Sequence, residues 1–492
     1  MRRLAPHPAL VLYDSNNEDI VEPSGPSALY ATLILTAVAA EDPSRILWPN
    51  SPSTGWRSGV DRLWGTPNGA PLVALGGGHD YFAGQEWHRF YQAGVGAGNW
   101  STVVRDPWTQ AHTFNPMLPP SLDPGGATGA GARSYFVSEF GSATMSSFES
   151  MSGTLAPGSW GLHGGGVAET CTPVPGAFGN NCTGRNAMTQ RNWACDNIVW
   201  SYFGPALINA SGEVAFKGAL FQCMVAGALN MQSVVEGHRG ANAMGTLEWQ
   251  LNEVWPTGGW GSLEYGSAAS PGSLRGGRWK PMHNWFASHI FADVMAACGF
   301  AGRSRALVCY VSNARADRPF AGTLTLTAVD LATGAARAWA TLPVAVAAGP
   351  GALAWAAPNA TLPNATTTLL VASLVDAAGG GAFDEHVVHM TAPANLLIVA
   401  PVKLSVAVAA APNADGSVNV TVAADAVALF VTLTAMAPGR FSDNAFLLLP
   451  GAPRNVTWIP FVAGDAAADY ALLAATIRVE DMSAYVGVGE GE

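Results

Sequence analysis

The sequence predicts an α/β region followed by all-β regions, and three observations predict it. From Leu10 to about Ala297, short apolar runs alternate with helical stretches, the pattern of a parallel sheet covered by helices. Beyond Phe300 the helical signals vanish and strand-like runs recur at regular spacing, as in antiparallel sandwiches. At 492 residues, 49% hydrophobic and only 12% charged, the chain is long and apolar enough for about two to four domains with cores of their own.

In the first region the predicted strands are 10–13, 45–48, 72–75, 135–137 and 245–250, and the predicted helices include 27–40, 216–240 and 281–297. Residues 94–133 and 155–192 are rich in Gly, Pro, Ser and Asn without a sustained period and read as long loops, which in a compact domain are functional lids or disordered insertions. Runs at 306–311, 322–329, 336–342, 367–375 and 385–390 form the first predicted sandwich. A second follows from about Leu396, with strands 403–410, 417–423, 428–435 and 455–461, its Ala/Val-rich runs punctuated by Asn-Ala-Asp-Gly and Ala-Pro-Gly turns. The domains are therefore drawn as 1–297, 298–395 and 396–492.

A net charge of −11 argues against a nucleic-acid partner; it suits a neutral sugar, and solvated surface acid explains it equally well. The longest apolar stretch, 28–40, stops at Glu41-Asp42, short of the roughly 20 residues that span a bilayer, so no membrane partner is expected. Met1-Arg2-Arg3-Leu4 opens the chain without the apolar core of a signal peptide. Seven sequons, at Asn99, Asn181, Asn209, Asn359, Asn364, Asn419 and Asn455, nevertheless accompany six cysteines, a combination that favours disulfides and a secretory or lysosomal compartment. Six cysteines allow fifteen pairings. Near neighbours make Cys171–Cys182 and Cys195–Cys223 the preferred pairs, free buried thiols remaining the alternative; no spacing suggests zinc, and no metal or cofactor is expected.

Two glutamates stand at predicted strand ends, Glu18 in Asn16-Asn17-Glu18 and Glu139 in Ser138-Glu139-Phe140-Gly141. A parallel barrel gathers its C-terminal strand ends at one mouth, and two carboxylates there suffice to cleave a glycosidic bond. Each motif alone has a plainer reading: Asn-Asn-Glu after a strand also fits a turn and a helix N-cap. His79-Asp80-Tyr81 follows a triple glycine that lacks the Lys-Ser/Thr ending of a phosphate loop, and could orient a nucleophile or contact hydroxyls. Among 17 tryptophans, the cluster around Trp249 and Trp255 closes a strand with indoles and amides, groups that stack on sugar faces and bind their hydroxyls.

The run Trp249-Gln-Leu-Asn-Glu-Val-Trp255, then Trp260-Gly-Ser-Leu-Glu-Tyr-Gly266, then Arg278-Trp-Lys-Pro-Met-His-Asn-Trp-Phe-Ala287 resembles the closing part of the catalytic barrel of glycoside hydrolase family 2 β-mannosidases. His7-Pro8 with Val11-Leu-Tyr-Asp-Ser-Asn-Asn-Glu18 is similar to the family's acid/base strand, Ser51-Pro-Ser-Thr-Gly55 to the next strand end, and Ser138-Glu-Phe-Gly141 to the nucleophile strand. Gly439-Arg-Phe-Ser-Asp-Asn-Ala-Phe-Leu-Leu-Leu-Pro-Gly451 is similar to the signature of its C-terminal immunoglobulin-like domain.

The resemblance implies strands four to eight of a (β/α)8 TIM barrel with two immunoglobulin-like β-sandwiches behind them. It also implies a retaining exo-β-mannosidase acting on oligosaccharides with terminal β-mannose. Glu18 would be the general acid/base and Glu139 the nucleophile; Asn17 would hold the sugar near its 2-hydroxyl, Tyr81 would orient Glu139, Trp249 would floor the terminal-sugar subsite, and His79 would line the pocket. Family members carry further domains and three barrel strands before the acid/base strand, where this chain has nine residues before Leu10, so the sequence is expected to be a truncated version of a longer protein. Asp14-Ser15 and the long glycine-rich stretch before Glu139 depart from the family pattern, which bears on substrate preference. The competing readings are a β-glucosaminidase or β-galactosidase of the same family, and a non-catalytic carbohydrate-binding remnant.

Overall fold

A computed structural model describes residues 12–14, 33, 37, 40–42, 46–48, 113–114, 136–140, 142, 144–162, 170–173, 180–183, 188, 193–240, 245–248, 250–253, 259–264, 278–281, 289–301, 306–349, 351–357, 361–377, 382–398, 401–461 and 466–485. The chain divides into two units, one of 1–89, 117–141 and 241–249, the other of 90–116, 142–240 and 250–492.

The described strands of the first unit pair in parallel, as the predicted α/β pattern requires. Leu12–Asp14 lies beside Ile46–Trp48, with Asp14 opposite Trp48. Phe136–Phe140 lies beside Gly245–Glu248. The predicted strand 72–75 lies outside the described residues, as does most of the predicted helix 27–40.

In the second unit, helices Trp193–Phe203 and Glu213–Gly240 pack together and are joined by a Cys195–Cys223 disulfide, one of the two preferred pairs. The longer helix starts where Gly212, at φ +94°, turns the chain, and a Glu213–Lys217 ion pair supports its first turn. Its apolar residues run all round, the pattern of a helix enclosed by protein. Residues 213–232 are long and apolar enough to cross a membrane, but 83% of that stretch is buried within the protein, as befits a core helix. Residues 155–192, read as loop, contain an antiparallel ladder of Thr170–Pro173 with Asn180–Thr183 that sets Cys171 opposite Cys182.

The first sandwich faces the sheet Gly351–Ala357, Leu307–Asn313, Val294–Ala301, Thr113–Phe114 against the sheet Ala336–Val346, Phe320–Asp330, Thr368–Asp376, Ala382–Val388. Phe320–Asp330 shows why: its Leu324, Leu326 and Ala328 enter the core while the residues between them face outward, the period of two that a half-buried strand demands. The predicted helix 281–297 fails at its C-terminal end, because Val294–Ala301 is a strand, spanning the expected 297/298 boundary and linked to its neighbour by a Cys298–Cys309 disulfide. A short apolar run such as Val-Met-Ala-Ala-Cys carries no period of its own, so its neighbours decide its conformation.

The C-terminal sandwich sets the three-stranded sheet Phe446–Leu448, Ala428–Thr434, Arg478–Glu480 against a six-stranded one. In order, that sheet is Leu404–Val408, Val418–Ala424, Arg454–Pro460, Gly439–Phe441, Arg278–Trp279 and Leu263–Glu264. Val420, Val431, Leu433 and the fully buried Trp458 centre its core. Contrary to expectation this region holds a helix, Ala466–Thr476, whose Leu473 is buried in that core.

Candidate active site

Glu139 is the fourth residue of the strand Phe136–Phe140. Opposite it the ladder slips: Val137 pairs with Thr246 and Phe140 with Glu248, so the Glu139 strand carries one residue more than its partner. An extra residue of this kind bends a strand and re-aims its side chains, which is why such irregularities gather beside active sites. Because the pairing is parallel, Phe140 and Glu248 end side by side, and Trp249 is next in sequence. Trp249, Glu18, Asn17, His79 and Tyr81 all lie outside the described residues; the strand before Glu18 is held beside Ile46–Trp48, and Tyr13 donates a hydrogen bond to Asp42 at 3.1 Å.

The segments that follow these strand ends in sequence belong to the second unit, and buried charge holds them together there. After Glu139 the chain continues to Thr144, whose N–H donates to the Gly259 carbonyl at 3.0 Å. After Trp249 it continues to Gln250, whose carbonyl accepts from the Ser262 N–H at 3.0 Å. Lys280, 1% exposed, donates from Nζ to the Thr144 carbonyl at 2.7 Å and pairs with the Glu253 carboxylate. Its own N–H donates to the Ser262 carbonyl at 2.9 Å, so one residue touches three segments. Gly259 and Gly261 make this approach possible: a Cβ on the first would strike the Glu253 carboxylate and on the second the Asn252–Glu253 backbone. Burial pushes the Glu253 carboxyl above its ordinary value, with the Lys280 charge pulling against it.

Beside it, Glu264 is 2% exposed and accepts from the Ser147 N–H at 2.6 Å, the Ser147 hydroxyl at 2.7 Å and Arg278 Nε at 3.2 Å. Arg278 also donates to the Ser150 hydroxyl and, at 3.2 Å, to the Met436 carbonyl of the C-terminal sandwich. A third group completes the set: Arg478 forks onto Glu149 at 2.7 and 3.2 Å and pairs with Glu480, which accepts from the Tyr485 hydroxyl. Burial alone would raise the Glu149 carboxyl, but the hydrogen bond and charge of Arg478 bring it below its ordinary value. Burial and the Glu480 charge push the Tyr485 hydroxyl up.

Glu253, Glu264, Arg278 and Lys280 were visible in the sequence only as letters of the tryptophan-rich motifs, with no role assigned to them. The signal was there: a charged residue inside an apolar, aromatic run is rarely buried unless paired. Among the described residues no group of His, Cys, Asp or Glu is placed to hold a metal. Among the described residues, a cleft between the two sandwiches is lined by His289, His386, His389 and Arg454 among others. Phe430 and Ala445, the two described non-glycine residues in the left-handed region at φ 55° and 54°, both line it.

The family model of the mannosidase Ig-fold domain matches residues 400–485, the C-terminal sandwich. β-Mannosidase of Bos taurus is 24% identical over 497 aligned residues, which cover 91% of this chain and 46% of that protein. The crystal structure of β-D-mannosidase from Dictyoglomus thermophilum superposes over 98% of this chain and 49% of its own length, with a TM-score of 0.61 at 14% identity. That of Amycolatopsis orientalis exo-chitosanase CsxA does so over 98% and 52%, with a TM-score of 0.53 at 15% identity. The chain is thus similar in sequence to β-mannosidases, and its C-terminal sandwich to the mannosidase Ig-fold domain. It spans about half the length of the relatives it matches.

Proposed function

We propose that this chain serves a retaining exo-β-mannosidase, a glycoside hydrolase that releases terminal non-reducing β-D-mannose from oligosaccharides or glycoprotein glycans. The observation that carries the reading is the placement of Glu139 in a strand paired in parallel with the strand that leads to Trp249, inside a chain aligned over 91% of its length with a β-mannosidase. In this reading the two parallel pairs are barrel strands four with five and seven with eight, and both sandwiches are immunoglobulin-like. The bounds 1–297, 298–395 and 396–492 belong to the same proposal.

Glu139 attacks the anomeric carbon and forms a glycosyl ester while Glu18 protonates the departing oxygen; Glu18 then takes a proton from the water that breaks the ester. Such a double displacement needs the two carboxyl groups about 5–5.5 Å apart. Asn17 holds the sugar near its 2-hydroxyl, Tyr81 orients Glu139, Trp249 stacks beneath the terminal ring, and His79 lines the pocket. The sequons, together with the Cys195–Cys223 and Cys298–Cys309 disulfides, support a lysosomal or secreted protein.

The test is hydrolysis of aryl β-mannoside, β-glucoside, β-galactoside and β-glucosaminide by the chain and by its Glu139→Ala variant. Mannoside is expected to be turned over fastest, and Glu139→Ala to lose at least about a thousandfold in kcat. Mannoside hydrolysis that survives the substitution overturns the mechanism. The likeness to the exo-chitosanase is one of fold, so preference for the glucosaminide would move the specificity and leave the mechanism intact.

A further inference from the structure

Lys280 presents a physical puzzle. Removing an ammonium from water costs several kcal/mol, and a buried ion pair is often no more stabilising than an apolar pair of similar volume. Yet Lys280 is 1% exposed, the side chain of its carboxylate partner Glu253 is 12% exposed, and two glycines, Gly259 and Gly261, admit the chain at close quarters around them. What an ion pair supplies and an apolar pair does not is direction: the ammonium has three donors at fixed angles. Two of them are accounted for on segments far apart in sequence, the Thr144 carbonyl and the Glu253 carboxylate.

We infer that Lys280 is a positioning residue, tying the segment that follows Glu139 in sequence to the segment that follows Trp249, and that turnover depends on this tie. The inference rests on the glycosidase reading above. Chain continuity carries the effect. Thr144 is further pinned by its N–H on Gly259, and the 250–253 segment by the Gln250–Ser262 and Leu251–Leu263 backbone bonds. Freeing the ammonium leaves the two segments coupled through the Thr144–Gly259 backbone bond and the Ser147–Glu264 contacts, without the charged tie. The chemistry makes the geometry matter, since a displacement of about 1 Å at a reacting group costs on the order of a hundredfold in rate.

The experiment compares the wild-type chain with Lys280→Met, Lys280→Arg and Glu253→Gln, reading steady-state kinetics on aryl β-mannoside and hydrogen–deuterium exchange by peptide. In Lys280→Met, exchange is expected to rise together in 142–151 and 250–262 while 404–461 stays protected; kcat is expected to fall about tenfold to a hundredfold with a rise in KM. Partial unfolding would reduce the active fraction, lowering kcat with KM unchanged, so the paired change separates positioning from instability. Lys280→Arg, which keeps a donor for both partners, is expected to restore part of kcat. If Lys280→Met loses protection across 404–461 as well, Glu253→Gln takes its place, since it removes the charge pair and keeps the bond to Thr144. Unchanged exchange in either segment, or kcat and KM equal to wild type, overturns the positioning role alone. A wild-type chain that hydrolyses none of the four aryl glycosides brings down the glycosidase reading, and the positioning role with it.

Discussion

The two sandwiches are built alike and bury different things. The first packs Leu307, Leu324, Leu326, Leu370 and their neighbours into an apolar core and adds a disulfide between adjacent strands. The second has an equally apolar centre around Trp458, but its margin holds Glu149, Glu264, Arg278, Lys280, Arg478 and Glu480, all buried or largely so. Its larger sheet also continues beyond the domain, through Arg278–Trp279 to Leu263–Glu264. Apolar area holds two surfaces together without fixing their angle closely, whereas paired charges do fix it, at the cost of desolvation. The first sandwich therefore serves as a brace. The second is a jig for the segments that follow the strand ends, and the expected effects of substitution differ accordingly.

The sharpest test sets Arg278→Met against Leu324→Ala. Losing Arg278 removes the guanidinium that faces the Glu264 carboxylate, 2% exposed, and leaves its charge to the Ser147 hydrogen bonds, so a destabilisation of about 3–5 kcal/mol is expected in urea unfolding. Leu324→Ala opens a cavity in the first core and is expected to cost about 2–4 kcal/mol. The kinetics should separate them more than the stabilities do: well below the unfolding transition Arg278→Met loses turnover and Leu324→Ala keeps it. Equal loss of turnover would dissolve the distinction between brace and jig.

A smaller effect is expected from the disulfide of the first sandwich. Cys298 and Cys309 are eleven residues apart, and closing so short a loop stabilises by about 2–3 kcal/mol through the unfolded chain. Replacing both by serine should lower the unfolding midpoint in proportion and leave kcat and KM on aryl mannoside as they were. A shift in KM would mean that this sandwich, too, sets the site.

The same contrast explains what was legible in the sequence. Strands of the sandwiches show their period of two in runs such as Phe320–Asp330, and the helix Glu213–Gly240 is long enough to declare itself. Ala466–Thr476 was lost because its alanines lie among Ala/Val-rich strands; alanine is the strongest helix former, yet composition alone did not distinguish the two. The Cys195–Cys223 pair was readable and, of the candidate site, the strand bearing Glu139. The partners of the buried cations were not, because Lys280 with Thr144, Arg278 with Ser150 and Arg478 with Glu149 join positions over a hundred residues apart, and no local pattern encodes such a partnership.

The smallest expected effect is also the most specific to the jig, for it depends on pH. Arg478 holds two carboxylates that are displaced in opposite directions. Glu149 sits below its ordinary value of 4.5, because the arginine outweighs burial; Glu480 sits above 4.5, because burial outweighs the arginine. A carboxylate depressed in the folded state contributes stability that is complete above its ordinary value and disappears as pH falls through the folded one. Glu149→Gln is therefore expected to cost about 1–2 kcal/mol at neutral pH and progressively less below about pH 4.5, where the wild type protonates too. Glu480 has the other sign: its raised value means that folding is penalised as pH rises through it, so the cost of Glu480→Gln should shrink towards neutral pH. Urea unfolding of the two variants from pH 3.5 to 7.5 reads both slopes. Leu324→Ala, with no charge at stake, should run parallel to wild type throughout, and a matching slope in Glu149→Gln would show that Arg478 does not carry the charge coupling assigned to it.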